Sequence, residues 1–266
     1  MRLSITHNTH YRYDAPVSYS LQQVRLTPKN RPSQTIVRWE IEVEGGTREV
    51  EFVDQHNNHV VLIGIEPGRS EISIVSKGEV ETNDTHGVIG KSGGFIPLWY
   101  FNRSTNLTAS GKGVRALVAE LGKDYTSSLE WLHALSKQIS DTIPYQTYST
   151  HSATTAEDAI RLGQGVCQDH AHIFISSARL MGFPARYVSG YLMMNDRIEQ
   201  EASHAWAEAY VEELGWVGFD VSNGIAPDER YVTLATGLDY SEAAPISGMR
   251  LGDSLESMDV SLQVQQ

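Results

Sequence analysis

The residue type best suited to covalent chemistry in this sequence is cysteine, and the chain has one, Cys167. It follows the glycine-bearing run 163–166 and precedes a segment with helical periodicity, so we expect the thiol at a helix N-terminus. Unpaired backbone N–H groups and the positive end of the helix dipole favour a thiolate there. A lone cysteine is more often a buried small hydrophobic residue, so Cys167 predicts a nucleophile only together with other residues.

Two alternating segments downstream carry a base and a carboxylate. Residues 202–211 alternate with His204 on one face, and residues 216–221 alternate with Asp220 on one face. The separation between His204 and Asp220 is even, and its midpoint is residue 212. A hairpin that turns there predicts them as cross-strand neighbours on one face, with Cβ atoms about 5 Å apart.

A thiol, an imidazole and a carboxylate together predict nucleophilic acyl chemistry. Cys167 is the candidate nucleophile, His204 the base that activates it, and Asp220 the group that orients the imidazole. Partners distant in sequence are expected, because such triads are assembled in space. The combination predicts attack on a carbonyl carbon through a covalent intermediate.

A tetrahedral intermediate also needs hydrogen-bond donors for its oxyanion. The backbone N–H of Cys167 is the natural first donor. The second is either the side-chain amide of Gln164 or an indole N–H, and the sequence leaves the choice open. The indole candidates are Trp99, Trp131 and Trp206.

A metal site is the competing interpretation of the residues around Cys167. Asp169, His170 and His172 are potential ligands nearby. On a helix that turns about 100° per residue their side chains point in different directions, and no i,i+4 histidine pair is present in the sequence here. No Asp-rich stretch has calcium-ligand spacing. We therefore expect no metal and no cofactor.

The elements that must position these residues fall into two parts. Short alternating segments separated by turn residues predict an antiparallel β-sandwich over residues 1–105. The pattern breaks around residues 91–94, and helical periodicity begins at Val114. Residues 106–266 predict a second domain with helices packed on an antiparallel sheet, so the expected fold class is α+β.

The composition excludes several classes of partner. The formal net charge is −12 at pH 7, whereas binding to nucleic acids or anionic membranes requires a basic surface. No apolar run approaches the ~20 residues of a membrane span, and the N-terminal residues lack the apolar segment of a signal peptide. A single cysteine allows no intrachain disulfide and fits a reducing compartment. The expected location is the cytoplasm, and the oligomeric state is left open.

Several blocks of the sequence resemble the bacterial transglutaminase-like proteins, which are often described as candidate cysteine proteases. The core blocks are residues 165–172, 181–191, 203–208 and 215–220. Residues 11–17 and 26–28 are similar to the β domain that precedes the core in that family. The resemblance implies a papain-like α+β core in which Cys167 is the nucleophile, His204 the base and Asp220 the orienting carboxylate.

The predicted reaction is acyl transfer through a thioester, with a peptide or protein as the expected partner. We favour hydrolysis of a peptide or carboxamide bond by a cysteine protease or amidase, because water is abundant and no amine pocket is recognisable. One alternative is a transglutaminase that passes the acyl group from glutamine to an amine. Another is a non-enzymatic protein-binding module that retains the triad. Loops at residues 144–153 and 193–203 flank the proposed site.

Overall fold

The computed structural model describes residues 1–17, 19–91, 94–122, 124–251 and 255–266. These residues form three antiparallel sheets and a group of helices. Of the segment 91–94, where the sequence pattern breaks, Ser92 and Gly93 lie outside the described ranges. Within those ranges no helix has both the length and the apolar content needed to cross a membrane.

Two of the sheets form the predicted N-terminal β-sandwich. Its strands from the first part of the chain are β1 (Arg2–Tyr13), β2 (Tyr19–Thr27), β3 (Gln34–Glu44), β4 (Gly46–Val53), β5 (His59–Ile65) and β6 (Glu71–Thr82). Strand β1 shows the period of two that a strand with one face in a core requires. Its residues Leu3, Ile5 and Tyr11 are buried, while their neighbours along the strand are partly or fully exposed.

The third sheet and most of the helices form the core domain. The helices are a 3-10 helix at Leu98–Asn102, α1 (Lys112–Leu121), α2 (Ser128–Thr142), α3 (Ala156–Leu162), α4 (Cys167–Leu180) and α5 (Tyr240–Ala243). The strands in this part of the chain are β7 (Val88–Gly90), β8 (Ala185–Leu192), β9 (Glu199–Gln200), β10 (His204–Val211), β11 (Gly215–Phe219) and β12 (Tyr231–Gly237). The core sheet has the order β12-β8-β10-β11-β7. The predicted α+β class is confirmed.

The end of the chain returns to the sandwich. Strand β13 (Ile246–Leu251) pairs with β2, and β14 (Glu256–Gln265) pairs with β1. The sheets therefore run β13-β2-β5-β4 and β3-β6-β1-β14-β9. These pairings correct the division that placed all of residues 106–266 in the core. Strand β7 corrects the predicted division in the other direction. It lies before the predicted boundary but pairs with β11 in the core sheet.

Helix α4 lies at the centre of the core, a position that suits its many small and apolar residues. Ala171, Phe174, Ile175 and Ala178 are buried, and the helix packs against β10. This packing places the N-terminus of α4, with Cys167, beside the strand that begins at His204.

The sandwich and the core are joined along β12 by side-chain amides. Gln34 donates to the carbonyl oxygen of Thr233 at 2.9 Å and accepts from its N–H at 2.7 Å. Asn58 makes the same pair of bonds with Thr236, at 2.8 and 2.9 Å. Because β12 is an edge strand, these amides pair with backbone groups that a further strand would otherwise use.

Candidate active site

Cys167 is the first residue of α4 and is half-buried, at the helix start that the sequence predicted. Asp169 organises this start. Its Oδ2 accepts hydrogen bonds from the N–H of Val166 at 2.8 Å and from the hydroxyl of Thr150 at 2.6 Å. The N–H groups of a first helical turn, including that of Cys167, have no acceptor within the helix. The thiol therefore lies where backbone dipoles favour negative charge.

His204 and Asp220 are in contact, with 2.6 Å between Nε2 of His204 and Oδ2 of Asp220. The hairpin register differs from the predicted one. Ala207 pairs with Phe219, so the turn is centred one residue later than residue 212. Asp220 thus moves to a diagonal position but stays on the same face, because side-chain orientation repeats every two residues. The predicted shared face is confirmed, and the predicted direct opposition is wrong.

Asp220 is fully buried and is held by several donors. Its Oδ2 also accepts from the side-chain amide of Asn223 and from the hydroxyl of Tyr231, each at 2.7 Å. Burial alone would raise the pKa of Asp220. The hydrogen bonds and charge of His204, with the bonds from Asn223 and Tyr231, outweigh burial and lower that pKa. The carboxylate is therefore ionised and fixed in orientation.

The imidazole of His204 lies between this carboxylate and Cys167. Burial alone would lower the pKa of His204. Hydrogen bonding to Asp220 and Cys167, together with the negative charges of both groups, outweighs burial and raises that pKa to about 10. Because Nε2 is bonded to Asp220, Nδ1 is the nitrogen left for Cys167. The arrangement favours the imidazolium form of His204.

A cavity of about 950 Å³ opens at Cys167 and His204. Residues of the two loops predicted to flank the site form part of its wall. They are Tyr145, Thr147 and Tyr148 from the first loop, and Met194, Arg197, Glu199, Gln200, Glu201, Ala202 and Ser203 from the second with its short strand β9. The hydroxyl of Tyr148 donates to Oε2 of Glu201 at 2.8 Å and so links the two loops. The cavity brings a substrate-sized space to the thiol.

Comparison with known proteins identifies the family of this fold. The model of the Transglutaminase-like superfamily matches residues 115–221, and the model of the Bacterial transglutaminase-like N-terminal region matches residues 3–81. An uncharacterized protein of Mycobacterium leprae is 30% identical, over 99% of this chain and 98% of its own length. The chain belongs to the transglutaminase-like superfamily. The resemblance seen in the sequence is confirmed, and the superfamily is one of Cys-His-Asp enzymes.

Two further relatives agree with this assignment. An uncharacterized protein of Mycobacterium tuberculosis (strain H37Rv) is 27% identical, over 99% of this chain and 92% of its own length. A solved structure from Cytophaga hutchinsonii, named a candidate cysteine protease, superposes with a TM-score of 0.79 at 23% identity. It covers 100% of this chain and 91% of that chain. At this identity the likeness shows the fold, which is the papain-like α+β fold implied by the resemblance.

The side chains that the sequence offered as a second donor to the oxyanion do not line the cavity at Cys167. Gln164 is half-buried in the turn before α4. The indole N–H of Trp131 donates to the carbonyl oxygen of Gly122 at 3.0 Å, and Trp99 is 66% exposed on the 3-10 helix. Trp206 is buried, with its ring stacked at 6.2 Å from that of His204. Trp206 therefore packs against the ring of His204 and does not line the cavity.

Tyrosines that the sequence analysis did not select do line the cavity. Tyr145, Tyr187 and Tyr240 surround Cys167, and burial followed by the charge of Cys167 raises the pKa of each, that of Tyr145 to about 12. The hydroxyl of Tyr187 makes no hydrogen bond to any of the described residues. These hydroxyls stay protonated and able to donate. Alternation in β8 was the signal available for Tyr187, but it did not show what the side chain faces.

The histidines that suggested a metal site are bonded to groups in the core. His170 donates from Nε2 to the carbonyl oxygen of Ile143 and accepts at Nδ1 from the hydroxyl of Ser222, both at 2.8 Å. His172 accepts at Nε2 from the N–H of Tyr240 at 3.2 Å, and burial lowers its pKa to about 4. Among the described residues, no three His, Cys, Asp or Glu side chains converge in a metal-binding group.

Proposed function

We propose that this protein is a thiol-dependent acyl-transfer enzyme that hydrolyses a peptide or carboxamide bond of a peptide or protein substrate. The observation that carries the proposal is the position of His204 between two groups. Its Nε2 lies 2.6 Å from Asp220, and its other ring nitrogen, Nδ1, is left for Cys167 at the start of α4. In this proposal Cys167 is the nucleophile, His204 the acid and base, and Asp220 the orienting carboxylate.

The first half of the reaction forms a thioester. The thiolate of Cys167 attacks the carbonyl carbon, and the oxyanion that forms accepts a hydrogen bond from the backbone N–H of Cys167. The imidazolium of His204 then gives its Nδ1 proton to the leaving nitrogen as the carbon–nitrogen bond breaks. An amine or ammonia leaves, and the acyl group stays on sulfur.

The second half returns the enzyme to its starting state. His204, now neutral, takes a proton from water as the water oxygen attacks the thioester carbon. The carbon–sulfur bond breaks, a carboxylic acid leaves, and the thiolate and imidazolium are restored. Asp220 stays ionised throughout, because its hydrogen bonds hold its pKa low.

Amine transfer is the second candidate, and one observation favours it. Glu199 and Glu201 line the same cavity as Cys167, and carboxylates at that position attract an ammonium group. An amine held there would compete with water for the thioester. Hydrolysis remains the proposal because the cavity also exposes polar groups of Gln168, Ser203 and Asn223, which hold water readily.

The two outcomes are separated by product analysis with casein as a glutamine-containing substrate and a fluorescent primary amine. Hydrolysis predicts new peptide N-termini or released ammonia without stable amine incorporation. If the fluorescent amine were incorporated in a reaction that depends on Cys167, the proposed function would be that of a transferase and not of a hydrolase. Absence of all three products, across a panel of peptide and glutamine substrates, would contradict both and favour a binding module. Cys167→Ala is the control for each product.

A further inference from the structure

A second cavity, of about 540 Å³, lies between the sandwich and the core. It shares no lining residue with the cavity at Cys167. Its charged lining is entirely cationic among the described residues, and consists of Lys29, Arg31, Lys91 and Arg186. In a chain with a net charge of −12 this local excess of positive charge is unusual.

One buried carboxylate compensates only part of that charge. Glu208 is fully buried, and its two oxygens accept from Arg31 Nη2 and Arg186 Nε, each at 2.6 Å. Burial would raise the pKa of Glu208, but the two guanidinium groups outweigh it and lower that pKa to about 2. Two permanent positive charges thus share one negative charge, and about one positive charge is left over.

Arg186 presents the uncompensated charge to the cavity. Its guanidinium carbon lies 4.0 Å from the centre of the Trp216 ring, which fixes the plane of the group. Its Nη1 and Nη2 donate to no described residue, and both atoms keep some solvent-accessible surface. The free edge of this planar group therefore faces the open space, where it matches the two oxygens of a carboxylate.

Lys29 adds no further need for an anion. Its ammonium donates to the carbonyl oxygen of His56 at 3.0 Å and to Asn58 and Thr236 at 2.9 Å each, so all three protons have acceptors. Burial, followed by the charges of the two arginines, lowers the pKa of Lys29 well below its ordinary value. The buried groups of the cavity therefore leave about one positive charge, which matches one carboxylate. Lys91 is exposed and adds its charge on the solvent side of the wall.

The rest of the cavity wall is apolar. Its apolar residues include Ile89, Ile96, Leu98, Phe101 and Trp216. We propose that this cavity binds a small organic carboxylate with an apolar or aromatic flank, and that the terminal nitrogens of Arg186 hold the carboxylate. The site rests on its own geometry and stands whether or not the thiol chemistry proposed above is correct.

The test is calorimetric titration of the intact protein with 3-phenylpropionate and with its neutral amide, 3-phenylpropionamide. We expect one site for the carboxylate and at least about tenfold weaker binding of the amide, because only the carboxylate pairs with the guanidinium. Equal binding of the two probes, or no binding of the carboxylate, would overturn the proposal. Binding that is seen only at millimolar concentrations of the carboxylate would count as no binding.

Variants locate the site. Arg186→Lys keeps the charge but loses the planar pair of donors, so we expect about tenfold weaker carboxylate binding. A second variant tests the site without altering Arg186. Leu98→Asp places a negative charge on the exposed part of the cavity wall, where it would repel a bound carboxylate. Leu98→Asn is its control, because asparagine has the shape of aspartate without the charge. We expect Leu98→Asp to weaken binding about tenfold relative to Leu98→Asn. Arg197 lines the cavity at Cys167. If Arg197→Gln abolished binding and Leu98→Asp retained it, the probe would bind in the cavity at Cys167, and the proposal would be contradicted.

Discussion

Strand β10 contributes to two buried ion pairs with different outcomes, one at its start and one at its middle. At its start His204 contacts the buried carboxylate of Asp220, and four residues later Glu208 is a buried carboxylate that contacts Arg186. Each contact is 2.6 Å long. The difference is the partner, because an imidazole can release its proton and a guanidinium cannot. The pair at the start of β10 can therefore transfer protons, and the pair at its middle holds a fixed charge.

The surroundings of the two carboxylates extend this contrast. Asp220 is bonded within the core, and its histidine opens onto the cavity at Cys167. Glu208 bonds to Arg31 of the sandwich as well as to Arg186 of β8, so it joins the two parts of the molecule. Changes at the first carboxylate should alter reactivity, and changes at the second should alter stability and the charge of the inter-domain cavity.

The largest effect is expected at the thiol itself. Cys167→Ser should reduce turnover at least about 10⁴-fold, because a serine hydroxyl is not ionised by this histidine. The melting temperature should stay within about 2 °C, since the side chain is half-buried and the change is small. Turnover and a thermal melt of the same preparation measure both. An active serine enzyme would contradict the mechanism.

Loss of charge at Asp220 should come next. Asp220→Asn keeps the shape but removes the group that orients His204 and raises its pKa, so we expect kcat to fall about 10³- to 10⁴-fold. Asp141→Asn, on the exposed face of α2, is the control and should leave kcat unchanged. If Asp220→Asn reduced stability without reducing kcat, the two ion pairs of β10 would not differ as described.

The matched change at the middle of β10 should act on stability. Glu208→Gln leaves two buried guanidinium groups without a carboxylate, and we expect the free energy of unfolding to fall by about 3–5 kcal/mol. Folded Glu208→Gln should retain the alkylation rate of Cys167 within about twofold. Denaturant unfolding measures the first quantity, with the exposed Glu212→Gln on the hairpin turn as control. A loss of thiol reactivity with unchanged stability would reverse the contrast.

Another buried histidine, His7, sharpens the comparison further. His7 is 3% exposed and His204 is 8% exposed, but His7 bonds to the hydroxyl of Tyr191 at 2.9 Å instead of to a carboxylate. Burial lowers the pKa of His7 to about 4, whereas that of His204 is raised to about 10. NMR titration of the ring protons should show these opposite directions, and Asp220→Asn should lower the pKa of His204.

The opposite shifts have opposite consequences for stability. The folded pKa of His7 lies below its unfolded value, so its contribution is present above pH 6.5 and is lost as the pH falls toward 4. That loss amounts to about 3 kcal/mol. The contribution of His204 has the other sign: it is present below pH 6.5 and is lost as the pH rises toward 10. His7→Gln should flatten the acid side of the stability profile, and an unchanged acid slope would contradict the assignment.

The sequence predicted the parts of the site that depend on local patterns. Glycines before Cys167 and alternation around His204 and Asp220 are local signals. The structure places Cys167 at the expected helix start, and His204 and Asp220 on the expected shared face. The exact register was wrong because a shift of the turn by one residue leaves the alternation unchanged, so the pattern contains no information about it.

The parts that the sequence did not predict depend on contacts between distant residues. Strands β13 and β14 pair with β2 and β1, which lie at the other end of the chain, and alternation does not name a partner strand. Arg31 reaches Glu208 across the domain boundary in the same way. The tyrosines of the cavity, such as Tyr187, resemble ordinary core residues until the space beside them is known.

The most direct test of the central claim is the alkylation rate of Cys167 by iodoacetamide at pH 6, compared with N-acetylcysteine. A free thiol is largely protonated at that pH, whereas a thiolate paired with the imidazolium of His204 should react at least about tenfold faster. His204→Ala should remove the advantage, and His86→Ala, at an exposed position, should keep it. A wild-type rate no faster than that of the free thiol would contradict the thiolate–imidazolium pair on which the proposed function depends.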